Sequence, residues 1–242
     1  MENHCVVSTL YYLFSGQKEL FKNLYLRTST DYDFKSYPVL QFNFADFGLK
    51  NKHLEKELSH QLQGYAQEYH IQLKDISLAT PFKTLVQAIS KQHGKVVILI
   101  DEYDKPIVDF LTDIAQTKKN QEILRNFFSP LKGLEAQGHL RFLFITGISK
   151  FSKVSLFSDL NNLTDLTMHP LSNDLLGITQ EELLHYFDPY IEQVTLNYPF
   201  PKSELLQEIK RWYNGYSYNG STFLYNPYSL LSLFSSREFK NY

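Results

Sequence analysis

The sequence is poor in the features that mark several classes of protein. Only Cys5 among its 242 residues is a cysteine, which excludes an intramolecular disulfide and a cysteine-rich zinc site. No apolar run approaches the ~20 residues of a membrane span. The 24 basic and 26 acidic residues give a net charge of -2, which argues against a dedicated surface for nucleic acid or anionic membrane. We therefore expect a cytoplasmic protein.

Motifs for metal-dependent hydrolysis are also scarce. The eight histidines include no pair four residues apart and no His-Glu-x-x-His motif. Two acid-x-Lys triplets, Asp33–Lys35 and Glu208–Lys210, fall in a predicted loop and on a predicted helix. Neither has the strand context of a metal-dependent nuclease, so a nuclease is a weak alternative. Mg²⁺ is the only ion for which the sequence suggests ligands.

Hydrophobic periodicity predicts an α/β sheet followed by a helical region. Strands are predicted at 38–44, 96–100, 139–147 and 163–168. Helices are predicted at 8–21 with an interruption at Gly16, and at 50–72, 80–92 and 119–137. This order favours parallel strands joined by right-handed crossovers. We place the domain boundary near residue 170, with an α/β core at 1–170 and a smaller helical domain at 171–242.

The helix at 80–92 has recognisable signals at both ends. Thr80 is the expected N-cap and Pro81 the first helical residue, since threonine and proline favour these positions. Gly94 is expected to end the helix.

An acidic pair follows the most apolar strand. Asp101 and Glu102 come directly after VVILI, and the carboxyl ends of parallel strands are where ligands bind. An aspartate there can hold Mg²⁺ beside bound phosphates, and a neighbouring glutamate can orient or deprotonate a water. Thr146 follows the next strand and fits a residue that senses the γ-phosphate. Acids that only solubilise a strand end, and a threonine that only opens a turn, are the plain alternatives.

A phosphate-binding loop is missing from the sequence. Two segments, Gly133–Gly138 and Gly215–Gly220, have the glycine spacing of G-x-x-x-x-G-K-[ST] but lack the lysine that follows it. The first also precedes a predicted strand instead of following one. We interpret both spacings as chance.

Six segments of the sequence resemble the bacterial AAA-ATPase-like domain family. Its members are P-loop proteins that are often fused to a PD-(D/E)xK nuclease-like domain. The resemblance is carried by residues 8–26, 37–47, 96–107, 141–167, 177–183 and 212–231. It implies a P-loop NTPase-like, three-layer, mostly parallel sheet with helices on both faces, and a C-terminal helical lid over 171–242. The family's nuclease-like domain is not expected within these residues.

The resemblance also implies a nucleotide site. Asp101, as the Mg²⁺ ligand, and Glu102 match the family's Walker B motif, and Thr146 matches its sensor region. ATP and Mg²⁺ are the implied ligands. Asn3 and His4 stand about where the lysine and serine of the phosphate loop would lie, and neither residue type can replace them well. We therefore expect impaired ATP binding and hydrolysis. The alternative is a non-catalytic pseudo-ATPase that acts as a partner-binding or regulatory module, or a gene fragment.

Overall fold

The computed structural model describes residues 2–48, 52–73, 78–147, 163–167, 169–218 and 220–242. These residues form two compact units, one of residues 3–163 and the other mainly of residues 164–242. None of the helices in the described ranges is long and apolar enough to cross a membrane.

A three-stranded parallel sheet forms the centre of the first unit. Its strands are β1 (Val39–Asn43), β2 (Val96–Asp101) and β3 (Leu140–Ile145), in the spatial order β1-β2-β3. Every residue of β2 is buried. Its continuous apolar run is typical of a central strand that is covered on both faces. The predicted α/β fold with a parallel sheet is confirmed, and these three strands lie close to their predicted bounds.

Helix α1 (Glu2–Phe14) covers one face of the sheet. Its Val7 and Phe14 pack against the apolar side chains that β2 directs to this face. The helix ends before Gly16, which has a φ of +76°. Glycine adopts this conformation without strain, so the predicted interruption at Gly16 is confirmed. A single-turn helix, α2 (Tyr25–Thr28), follows.

The helices of both crossover connections pack on the opposite face. They are α3 (Leu54–Glu68) and α4 (Ala79–His93) between β1 and β2, and α5 (Lys105–Val108), α6 (Ile114–Phe128) and α7 (Leu131–Ala136) between β2 and β3. Consecutive crossovers of one hand place their helices on one face. Phe82 of α4 and Phe127 of α6 stack with ring centroids 4.7 Å apart, and both contact Phe42 of β1. With α1 on the other side, the sheet is the middle of three layers.

The predicted cap of α4 is wrong. The helix begins at Ala79, not after Thr80, because Leu78 already has helical backbone angles of φ -83° and ψ -44°. Its end is as predicted, since Gly94 follows the helix with a φ of +89°.

Two other predicted elements also differ. The single helix expected at 119–137 is two helices, because Pro130 separates α6 from α7 and a proline has no N–H with which to continue a helix. The strand expected at 163–168 is not formed, since residues 163–167 lie outside any strand and residue 168 is outside the described residues.

The second unit is mostly helical. It contains α8 (Gln180–Tyr186), α9 (Asp188–Thr195), α10 (Lys202–Tyr213), β4 (Asn214–Tyr216), β5 (Leu224–Tyr225) and α11 (Pro227–Ser236). Thr179 and Glu182 form a reciprocal capping box that fixes the start of α8. Tyr225 is fully buried in the core of this unit, and its backbone bridges to Ile178 as well as pairing with β4.

Candidate functional site

Three polar side chains lie next to one another at the carboxyl edge of the sheet. Asp101 ends β2, is 2% exposed, and has Asn43 of β1 as its register partner. Thr146 directly follows β3, and its N–H donates to the carbonyl oxygen of Ile100 at 2.9 Å. The ends of three adjacent parallel strands therefore present Asn43, Asp101 and Thr146 at the edge where such sheets bind ligands.

Glu102 has a left-handed backbone conformation. Its φ is +49°, an angle that few residues other than glycine adopt. Its N–H donates to Oδ1 of Asp101 at 3.0 Å instead of continuing the ladder to β3. The N–H of Tyr103 donates to the carbonyl oxygen of Thr146 at 3.2 Å in its place. Strained conformations of this kind are concentrated at functional sites, and this one turns the chain sharply at the end of β2.

Asp104 belongs to the same site, although the sequence did not single it out. It is 1% exposed, and its carbonyl oxygen accepts the N–H groups of Ile107 and Val108 at the start of α5. Its carboxylate lies against Gly147, where a Cβ atom would be 2.5 Å from Oδ1 of Asp104. The only sequence signal is a second aspartate three residues after the first, which alone predicts no burial.

Helix α6 holds the segment that follows the acidic pair. The Nδ2 of Asn120, a fully buried residue, donates to the carbonyl oxygen of Pro106 at 2.6 Å. Its Oδ1 accepts from Nε2 of Gln116 at 2.8 Å. The Thr117 hydroxyl donates to the carbonyl oxygen of Phe110 at 2.6 Å. These bonds satisfy carbonyl groups around the short helix α5 and fix it relative to α6.

A small pocket lies beside this segment. It is lined by Phe44, Phe47, Gly48, Leu54, Pro106, Phe110 and a Lys105–Asp109 ion pair. The Nζ of Lys105 lies 3.0 and 3.1 Å from the two carboxylate oxygens of Asp109. The cavity volume of about 10 Å³ is far below the roughly 300–1,000 Å³ of typical small-molecule sites, and its lining is mainly apolar. It does not have the size or the polarity of a nucleotide site.

The acidic residues fit Mg²⁺ only in part. Mg²⁺ is usually bound by one or two carboxylates and completed by substrate phosphates and waters. Asp101 supplies a buried carboxylate at the carboxyl edge of the sheet. Within the described ranges, however, no group of three or more His, Cys, Asp or Glu residues comes together as a metal site. Asp101 would fill one coordination position of an Mg²⁺ ion whose other ligands are phosphates and waters.

Other predicted site residues are not described in full. Asn3 and His4 lie in the first turn of α1, and their side chains are outside the described residues. Residues 148–150, which come shortly after Thr146, are also outside them.

Comparison with known proteins gave one family match and one relative. Residues 4–157 match the family model described as "Predicted AAA-ATPase". The chain belongs to this AAA-ATPase-like family. The AAA-ATPase-like chain is also 35% identical over 238 residues to an "Uncharacterized protein in vnfD 5'region" of Azotobacter chroococcum mcd 1. The alignment covers 98% of this chain and 43% of that relative, so the chain spans less than half of the relative's length. No solved structure matches.

Proposed function

We propose that this AAA-ATPase-like chain carries the magnesium- and water-binding part of an ATPase site. The observation that carries the proposal is the pairing of two strand ends, in which Thr146 bonds to Ile100 and Tyr103 through its own N–H and C=O. This pairing keeps Asp101, Glu102 and Thr146 at one edge of the sheet.

Each of the three residues has a distinct role in the proposal. Asp101 binds Mg²⁺, which neutralises charge on the phosphates when it arrives with ATP. Glu102, next to it in a sharp turn, orients or deprotonates the attacking water. Thr146 contacts the γ-phosphate or that water from the neighbouring strand. The N–H of Glu102 fixes one oxygen of Asp101, so the carboxylate is oriented before a ligand arrives.

The proposal also predicts that this chain alone binds nucleotide weakly. None of its 242 residues forms the sequence G-x-x-x-x-G-K-[ST], whose backbone N–H groups and lysine hold the β- and γ-phosphates. Without that loop, binding would depend on the metal ligand, Asp101. We therefore expect little or no ATP hydrolysis by the chain in isolation.

A non-catalytic, partner-binding role is the second candidate. It is favoured by aromatic side chains exposed on the C-terminal unit: Trp212 is 42%, Phe223 57% and Tyr228 49% exposed. Tyr213 and Tyr225 of the same aromatic-rich segment are buried core residues. Exposed aromatic residues are typical of protein–protein interfaces.

Phosphate release from Mg·ATP by the folded chain tests the proposal. We expect a rate at the level of the buffer, for the wild type and for Glu102→Gln alike. The exposed residue Glu55 on α3 provides a charge-matched control, Glu55→Gln. Turnover that Glu102→Gln abolishes and Glu55→Gln preserves would contradict the expected inactivity and confirm the role of Glu102. Turnover that both variants retain would contradict that role as well.

A further inference from the structure

Residues 238–242, which follow α11, lie against a group of aromatic rings in the helical unit. The ring of Phe239 packs among three others, those of Tyr198, Trp212 and Tyr213. The ring centroids are 5.2, 5.9 and 6.0 Å from that of Phe239. We call these three rings the aromatic groove. Contacts between rings at such distances are favourable beyond the apolar area that they bury.

Two hydroxyl groups of the aromatic groove bind the backbone of this segment. The Tyr213 hydroxyl accepts the N–H of Lys240 at 3.1 Å and donates to the carbonyl oxygen of Lys240 at 3.0 Å. The Tyr198 hydroxyl accepts the N–H of Phe239 at 3.1 Å. Every residue except proline has these backbone groups, so the bonds recognise a peptide chain and not a particular side chain.

Few contacts attach the segment to the rest of the unit. Phe239 is half-buried, and the other four residues of 238–242 are exposed. Lys240 forms an ion pair within the segment, with Glu238 at 2.6 Å. Arg237 connects the segment to α11 with a φ of +57°, a conformation that is unfavourable for a residue with a Cβ. Release of the segment removes the need for this conformation and leaves the fully buried side chains of the unit in place.

We propose that residues 238–242 are a detachable strap, and that the aromatic groove under this strap binds a segment of a protein partner. The partner segment places an aromatic ring where Phe239 lies and offers the N–H and C=O of its next residue to Tyr213. Trp212 is 42% exposed beside the strap, as is common for an aromatic residue at a protein interface.

The strap and the partner segment compete for one site, so the strap is autoinhibitory. A short tether gives the strap an effective concentration in the millimolar range, which disfavours a weakly binding competitor. This competition makes no use of nucleotide, so its tests are independent of the proposed ATPase site.

Amide hydrogen exchange of the wild-type chain tests whether the strap detaches. We expect the hydrogen-bonded N–H groups of Phe239 and Lys240 to exchange through a local opening whose rate changes little with urea. The N–H of Ile209, a fully buried residue of α10, should exchange only through unfolding of the unit, at a rate that rises steeply with urea. An equal urea dependence for all three would mean that residues 238–242 unfold only with the unit, and would overturn the inference.

Peptide binding tests the aromatic groove itself. Trp212 is the single tryptophan of the sequence, so its fluorescence reports on the groove. The probe is a peptide with the sequence of residues 237–242, REFKNY, blocked at both ends. Phe239→Ala in the full chain weakens the strap, so this variant should bind the peptide about tenfold more tightly than the wild type or better. Phe223→Ala, which removes an aromatic ring that is 57% exposed and not part of the groove, should behave like the wild type.

Variants of the peptide separate recognition of the backbone from recognition of the ring. Lys240→Ala in the peptide keeps both backbone groups that Tyr213 binds, so its affinity should equal that of the parent peptide. Lys240→Pro removes the N–H and should bind about tenfold more weakly. Phe239→Ala in the peptide removes the ring and should abolish saturable binding.

Two peptide results would overturn the inference. The first is a Phe239→Ala chain that is folded by circular dichroism but shows no saturable change in fluorescence with the parent peptide. The second is equal binding of the parent, Lys240→Pro and Phe239→Ala peptides, which would show that neither the backbone nor the ring is recognised. If the Phe239→Ala chain does not fold, Lys240→Pro in the full chain replaces it, because this change removes a backbone bond and no half-buried side chain.

Discussion

Gly147 packs directly against Asp104, and this contact joins the chain that leaves β3 to the chain that leaves β2. A Cβ atom at Gly147 would lie 2.5 Å from Oδ1 of Asp104 and 2.6 Å from Cε1 of Tyr103. Real Cβ atoms do not approach other atoms so closely, so only glycine fits without movement. The contact brings the residue after Thr146 to the buried acid that follows Glu102.

Gly147→Ala should therefore lower the stability of the protein. Overpacking at a tight contact costs about 1–3 kcal/mol, which urea denaturation can measure. The matched control is Gly133→Ala in α7, where a Cβ would meet no atom within 4 Å. That change should raise stability by about 0.5–1 kcal/mol, because alanine is the better helix former. Equal effects of the two substitutions would contradict the close packing at Gly147.

The left-handed conformation of Glu102 predicts an unusual order of variant stabilities. Glycine adopts a φ of +49° without the steric cost of a Cβ, so Glu102→Gly should be at least as stable as the wild type. Glu102→Val should be less stable by about 1–2 kcal/mol, because a β-branched side chain clashes most in this conformation. Thermal unfolding of both variants provides the comparison. A destabilised glycine variant beside a neutral valine variant would show that the turn is formed differently.

Asn120 is expected to be important for the segment that follows the acidic pair. Asn120→Ala leaves the carbonyl oxygen of Pro106 buried without its donor, which costs about 1–3 kcal/mol. Gln116→Ala removes only the bond to Oδ1 of Asn120 and should cost about 0.5–1.5 kcal/mol. Urea denaturation of both variants measures the two losses in the free energy of unfolding. A larger loss from Gln116→Ala than from Asn120→Ala would contradict this account.

Tyr65 should make the protein sensitive to alkaline pH. Burial raises the pKa of its hydroxyl from 10.0 to about 12, although the bond to Gln41 acts in the opposite direction. Below pH 10 the group is neutral in the folded and unfolded chain and contributes no pH dependence. Between about pH 10 and pH 12 only the unfolded state loses the proton, so this group lowers the free energy of unfolding by up to about 2–3 kcal/mol.

Tyr65→Phe isolates this contribution. At neutral pH the variant should be less stable by about 1–2 kcal/mol, because the N–H and C=O of Gln41 lose their partner. Above pH 10 its stability should fall less steeply than that of the wild type. If the stabilities of wild type and Tyr65→Phe, measured by urea denaturation, fall in parallel between pH 9 and 12, the Tyr65 hydroxyl is not buried as described.

The parts of the fold that were predicted correctly depend on local patterns. The continuous apolar run of β2 indicates a central parallel strand, and its end locates Asp101 and Glu102 without further information. Gly16 and Gly94 end helices because their positive φ values are ones that glycine adopts readily. Each of these features depends on residues that are close in sequence, so it can be predicted from one sequence alone.

The parts that were missed depend on contacts between distant segments. The burial of Asp104 requires Gly147, which is 43 residues away in the sequence and reaches it only through the pairing of β2 with β3. The left-handed turn at Glu102 likewise has no signal in its residue type. Thr80 had a favourable type for a cap, but the helix extends one residue beyond it to Ala79. Propensity alone did not decide that boundary.

Calorimetric titration of the folded chain with ATP in the presence of Mg²⁺ tests the central claim most directly. The account predicts no saturable heat in the micromolar range, because the proposed metal and water ligands are present but nothing in the 242 residues forms a phosphate loop. An affinity in the low micromolar range that Asp101→Ala abolishes and Glu55→Ala preserves would contradict it. That result would mean that the carboxyl edge of this sheet binds the nucleotide without the phosphate loop.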